Sequence, residues 1–275
     1  MTRTKEKQFP SISFSNRLGS MLRVDARRML VSPLFWICLG TAFAVPILVL
    51  VMTSMVGGAD GGMMFENTWQ IIASEGGNMM AMMGGAMGGG TDASASMDMT
   101  AMMNINLVYF LTGIFTCLFT AEDFRSGYSK NLFTVRARKT DYVASKTIIG
   151  FIAGALFLLV FFVGGVFGGS VAGLSFGLGA AGVSGLVMCM LAKIFLMGVF
   201  VAIFLLMSVI AKNRSWMSIC LSLFGGMLLF MMIPMMTPLD SGVMNVSMCL
   251  AGGAIFAIAI GAVSNTVLKR TSLAG

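Results

Sequence analysis

Residues 185–211 read GLVMCMLAKIFLMGVFVAIFLLMSVIA, and only Lys193 among them carries a charge. As an α-helix such a run is about 40 Å long, more than the ~30 Å hydrocarbon layer of a bilayer requires. The turn Lys212-Asn213-Arg214-Ser215 separates it from a second apolar run, 216–236, whose exit is bracketed by Pro234 and Pro238; a third run, 243–268, follows. Toward the N-terminus, 147–168, 104–121 and 34–56 are similarly apolar. The last begins after Ser32-Pro33, a natural helix boundary, and contains Pro46, which predicts a kink. The sequence therefore predicts an all-α polytopic membrane protein with six transmembrane helices in one domain, 34–268, between tails at 1–33 and 269–275. Composition agrees: 57% of the 275 residues are hydrophobic and 11% charged, against roughly 25% charged in a soluble domain.

Charge then sets topology. Of 18 Lys and Arg, 7 precede the first run, 6 lie in 122–146, 2 in 212–214 and 2 in the C-terminal tail. These all fall on one side of a six-span layout, which the positive-inside rule makes the cytoplasm, so both termini are expected there in a plasma-membrane protein. The net charge of +7 thus reflects headgroups and topology, with membrane lipids rather than nucleic acid as the partner. Lys193 is the exception, expected to snorkel to the outer interface. The polar, basic start of the chain does not read as a signal peptide, so the first span is expected to remain in the mature protein.

Several chemistries are excluded. The chain has no histidine, which removes Ser-His-Asp and Cys-His nucleophiles and His-ligated zinc. Cys38, Cys117, Cys189, Cys220 and Cys249 are scattered singly through the apolar runs and read as small buried residues. No GxxxxGK[ST] occurs, so no phosphate-cradling loop is present and ATP would have to be hydrolysed elsewhere. Small residues at Gly164-Gly165, Gly168-Gly169 and Gly225-Gly226 predict close helix contacts.

Two polar stretches bear on function. Phe14, Leu18, Met21, Leu22, Met29 and Leu30 recur at helical spacing with Arg17, Arg23, Arg27 and Arg28 between them. This predicts a basic amphipathic helix in the interface plane, its arginines facing headgroups or a partner, with Asp25 interrupting the stripe. The stretch 122–146 is long for a connector, mixes acids with bases, and sets Leu132, Phe133 and Val135 among its charges, a pattern suited to a short helix docked on a soluble partner.

In this stretch the sequence resembles the ABC-2 type permease family, the membrane subunits of ABC exporters, through the ordered positions Glu122, Gly127, Asn131, Leu132, Arg138, Ser145 and Lys146. The proline that many members carry before the basic residue is absent. The resemblance implies a coupling helix over Glu122–Leu132, with Glu122, Asp123, Arg125, Gly127, Lys130, Asn131, Leu132 and Arg138 serving a separate cytoplasmic ABC ATPase. It also implies that the basic helix before the first span is the family's connecting helix. On this reading the chain is a non-enzymatic permease subunit, paired with a second copy or a similar permease, with ATP and Mg in the partner and no cofactor of its own. It would export a lipid, drug or antimicrobial peptide.

One feature points elsewhere. The outer segment 57–103 is acidic and holds 11 of the 28 methionines, including Met79, Met80, Met82, Met83, Met97 and Met99. Clustered thioethers are ligands for Cu(I), although no His or Cys completes a site and methionine is also an adaptable apolar filler. A metal-handling protein, or an immunity or sensor subunit that binds a toxic peptide, therefore stands as the alternative.

Overall fold

The computed structural model describes residues 14–56, 68–73, 105, 107–135, 139–177, 182–211, 214–230, 233–237 and 241–270. Every regular element among them is an α-helix: α1 (Phe14–Val31), α2 (Pro33–Val56), α3 (Thr68–Ala73), α4 (Leu107–Arg125), α5 (Tyr128–Val135), α6 (Lys139–Ala172), α7 (Gly182–Ala211), α8 (Ser215–Phe230), α9 (Ile233–Met236) and α10 (Val243–Arg270). Met79, Met80, Met82, Met83, Met97, Met99 and Arg138 lie outside the described residues.

Among the described residues five helices, α2, α4, α6, α7 and α10, are long and apolar enough to cross a membrane. Of the stretch expected to form the remaining span, 216–236, the described residues form the 16-residue α8 and the 4-residue α9, and 231–232 lie outside them. Pro234 has no N–H to donate, which suits the first turn of α9.

The expected connector 122–146 is largely helical. The last turn of α4 reaches Arg125, α5 follows, and α6 begins at Lys139 rather than Thr147. Gly127 takes φ +74° at the turn and its carbonyl accepts the first α5 hydrogen bond, from Asn131 N–H at 3.1 Å. That left-handed conformation is the reason for glycine, because nothing approaches the place a Cβ would occupy. The other end of α6 stops on Gly173, at φ +69°: Leu174 N–H reaches Gly169 O at 3.0 Å and Gly173 N–H reaches Ser170 O at 3.4 Å, the paired bonds of a Schellman cap. Between α1 and α2, Ser32 O accepts from Phe35 N–H at 3.2 Å and Pro33 occupies the first helical position, as the sequence suggests.

Helix α7 lies at the centre, against α10, α8, α4 and α6, and α6 in turn packs on α2 and α1. Phe35, Phe115 and Phe157 tie α2, α4 and α6 together with ring centroids 5.6 to 6.0 Å apart. In a bilayer such contacts act through close packing rather than release from water, since lipid tails are as apolar as the side chains. Four of the α6 glycines serve two neighbours. A Cβ on Gly164 would lie 2.5 Å from Phe43 O and one on Gly168 2.7 Å from Ile47 Cα, both in α2, while Gly165 and Gly169 accommodate Ile72 and Thr68 of α3.

Two side-chain expectations change. Lys193 does not snorkel. It is fully buried, its Nζ donates to Thr237 Oγ1 at 2.8 Å, and its carbonyl accepts the Tyr109 hydroxyl at 2.8 Å, because Thr237 at the end of α9 brings an acceptor against α7. Cys220 is exposed while the other four cysteines are buried. Trp69 is buried as well, packed on Phe162 and Phe176.

Candidate functional site

At the end of the bundle that carries α5, four charged side chains from three helices meet. Asp25 comes from α1, on the same face as Met21 and Met29, one turn away on either side. Arg28 follows it one turn later. Asp123 comes from the last turn of α4 and Lys146 from near the start of α6. Asp25 and Asp123 are fully buried and the Lys146 side chain is 1% exposed. Lys146 Nζ lies 3.0 Å from Asp25 Oδ1 and 2.7 Å from Asp123 Oδ2. Arg28 Nη2 lies 2.7 Å from Asp123 Oδ1, and Nη1 is 3.7 Å from Asp25 Oδ1.

Neutral donors complete the carboxylates. The Ser145 hydroxyl donates to Asp25 Oδ2 at 2.7 Å and the Tyr142 hydroxyl to Asp123 Oδ2 at 3.1 Å. Aromatic faces sit against the cations: Phe119 is 4.1 Å from Lys146 Nζ and 5.5 Å from the Arg28 guanidinium. With two negative and two positive groups the cluster is formally neutral, the condition under which burial of charge is tolerable. Burial alone would lower the Arg28 pKa, but the contacts with Asp123 and Asp25 together outweigh it and the net displacement is upward, so the guanidinium stays charged.

Helix α5 is fastened to this cluster. The Tyr128 ring lies 4.3 Å from the Arg28 guanidinium, and burial raises the Tyr128 pKa, which keeps the phenol neutral. Phe133 meets Tyr142 at 5.4 Å, and Leu132 and Phe133 pack on the small core of Met21, Tyr142, Val143, Leu205, Val209 and Leu268. Lys139 Nζ donates to Leu268 O at 2.8 Å, joining the start of α6 to the end of α10.

The residues singled out from sequence thus separate into two sets. Glu122, Arg125, Lys130 and Asn131 are exposed on the last turn of α4 and on α5, around the Gly127 turn. Asp123 and Leu132, expected to serve a soluble partner, turn inward, because the inner faces of these helices need partners within the chain. In α1, Arg23 and Arg27 are exposed, whereas Arg17 pairs with Asp141 at 3.0 Å and Arg28 joins the cluster. Asp25, Tyr128 and Tyr142 were not among the candidates, and Ser145 and Lys146 figured only in the motif. A carboxylate at a stripe position of α1 and an amine where an apolar run opens were the available signals.

A family model for ABC-2 family transporter proteins matches residues 30–229, from the end of α1 to α8. The chain belongs to the ABC-2 transporter family. It is the permease of an ABC transporter, a multi-pass membrane subunit of a kind that is generally non-catalytic and associates with an ABC ATPase subunit. No curated protein and no solved structure matches this ABC-2 permease. Asp123 and Lys146 of the cluster lie inside the matched region, and Asp25 and Arg28 just before it. Among the described residues, no three His, Cys, Asp or Glu side chains converge to hold a metal ion.

Proposed function

We propose that this permease exports a hydrophobic or amphipathic molecule, such as a lipid, drug or antimicrobial peptide, across the plasma membrane. Hydrolysis of Mg-ATP in a separate cytoplasmic ATPase drives it. The observation that carries this reading is the attachment of α5: through Tyr128 on Arg28, and through Arg28 and Lys146 on Asp123 and Asp25, the short helix is joined to α1, α4 and α6 together. A push on the exposed face of Glu122, Arg125, Lys130 and Asn131 reaches two membrane-crossing helices through charge contacts that do not slide freely.

Six crossings accompany this reading, with α8 and α9 together forming the fifth. Five would separate the basic N-terminal segment from Lys269 and Arg270, against the positive-inside pattern, whereas six keep 17 of 18 basic residues on the ATPase side. Helices α2 and α10, with 33% and 11% of their spanning windows covered, retain apolar surface for lipid and for a second permease.

The reading is tested by reconstituting the permease with its ATPase in liposomes. Glu122→Lys and Gly127→Val should each abolish substrate-stimulated ATP hydrolysis in inserted protein, while Gly127→Asn keeps most of it. Asn tolerates positive φ, whereas a β-branched residue there costs about 1–2 kcal/mol or more. Normal stimulation in both Glu122→Lys and Gly127→Val would refute the placement of the coupling face.

A further inference from the structure

Where α4 ends and α8 begins, a cleft of about 550 Å³ is lined by Arg125, Arg214, Ser215, Trp216 and Met217. Arg125 closes α4 and Arg214 immediately precedes α8; both are exposed, and neither is paired with a carboxylate among the described residues. The first hydrogen bond of α8 runs from Ser218 N–H to Arg214 O at 3.0 Å, so the amides of Ser215, Trp216 and Met217 have no partner within the helix. The positive end of the α8 dipole therefore adds to two guanidiniums at the same place.

Below this cationic mouth the surface becomes apolar. Trp216 is 81% exposed and Phe224 82%. With Cys220 between them, also exposed, they recur every fourth residue and form one outward stripe down α8. A tryptophan between a charged mouth and an apolar stripe is the arrangement of a headgroup-level anchor. A free anion would use the mouth and leave the stripe unexplained, as would an acidic protein segment.

We propose that this cleft binds the phosphate headgroup of an anionic phospholipid from the cytoplasmic leaflet, with an acyl chain along Trp216, Cys220 and Phe224. Such a lipid bridges the α4–α5 turn and the α7–α8 turn, which are separate in sequence, and so restrains the coupling face from the side. The inference rests on the function proposed above only for placing this end of the bundle at the cytoplasmic surface.

The test uses the full-length protein, delipidated in detergent and titrated with phosphatidylglycerol or phosphatidylcholine of matched chains, with retained lipid read by native mass spectrometry. Phosphatidylglycerol should bind in preference. Arg214→Gln should weaken it about fivefold and Arg125→Gln with Arg214→Gln roughly tenfold or more, on the scale of one interfacial cation per step, whereas Arg214→Lys keeps most of the binding. Trp216→Ala should weaken both lipids. Equal retention of phosphatidylglycerol by wild type and double variant overturns the proposal. So does its displacement by inorganic phosphate at matched ionic strength, which would mark a free-anion site. A double variant that keeps the lipid but loses co-purifying ATPase overturns it in favour of protein docking. Failure of the coupling reading shows separately, in the Glu122→Lys measurement.

Discussion

The amine of Lys146 contacts carboxylates from two other helices, and its removal leaves Asp25 and Asp123 buried with Arg28 alone. Stranding a buried charge typically costs about 3–5 kcal/mol, so Lys146→Met should lower the melting temperature of the detergent-solubilised protein severely. Adding Asp25→Asn removes the stranded charge, and the double variant should melt above Lys146→Met. Additive losses would show that the two groups act independently. Arg28 is not replaceable by lysine on the same terms, because its flat guanidinium lies on the Tyr128 ring while contacting Asp123. None of this pairing was visible from the positions alone. Asp25 and Lys146 are 121 residues apart, and a carboxylate on an apolar stripe reads as an interruption until its partner is known.

Among the elements, α6 depends most on its smallest residues. Gly168→Leu would drive a side chain into the backbone of α2 at Ile47, which cannot yield as a flexible side-chain tip would. A loss of about 1–3 kcal/mol or more is expected, read as a lower melting temperature and reduced yield in membranes, whereas the same change at exposed Gly19, with open space around it, should be nearly silent. Much of the helical layout was legible because long apolar runs have few alternatives in a bilayer. Ser32-Pro33 marked a true boundary, and the runs at 34–56 and 185–211 coincide closely with α2 and α7. The connector 122–146 was less legible, since charges that meet partners across helices look locally like a face for a soluble partner. Lys193 was illegible in the same way: Thr237, its hydrogen-bond partner, lies 44 residues further along the chain.

Across the whole molecule, the proposed six-crossing layout segregates charge by side and puts the buried cluster at the charged end. Single cysteines introduced at positions 130 and 271 should react with impermeant maleimide only in inside-out vesicles, and one at position 90 only in right-side-out vesicles. Labelling of 130 and 271 from opposite sides would require an odd number of crossings. The cluster also constrains how the protein is made. Asp25 leaves the ribosome 121 residues before Lys146, which at roughly 5–20 residues per second is an interval of about 6 to 25 seconds. During that interval α1 lacks the Lys146 amine, so the cluster can close only after α6 has arrived. A nascent chain that fails to deliver α6 beside α4 leaves Asp25 and Asp123 with Arg28 as the one cation of the cluster.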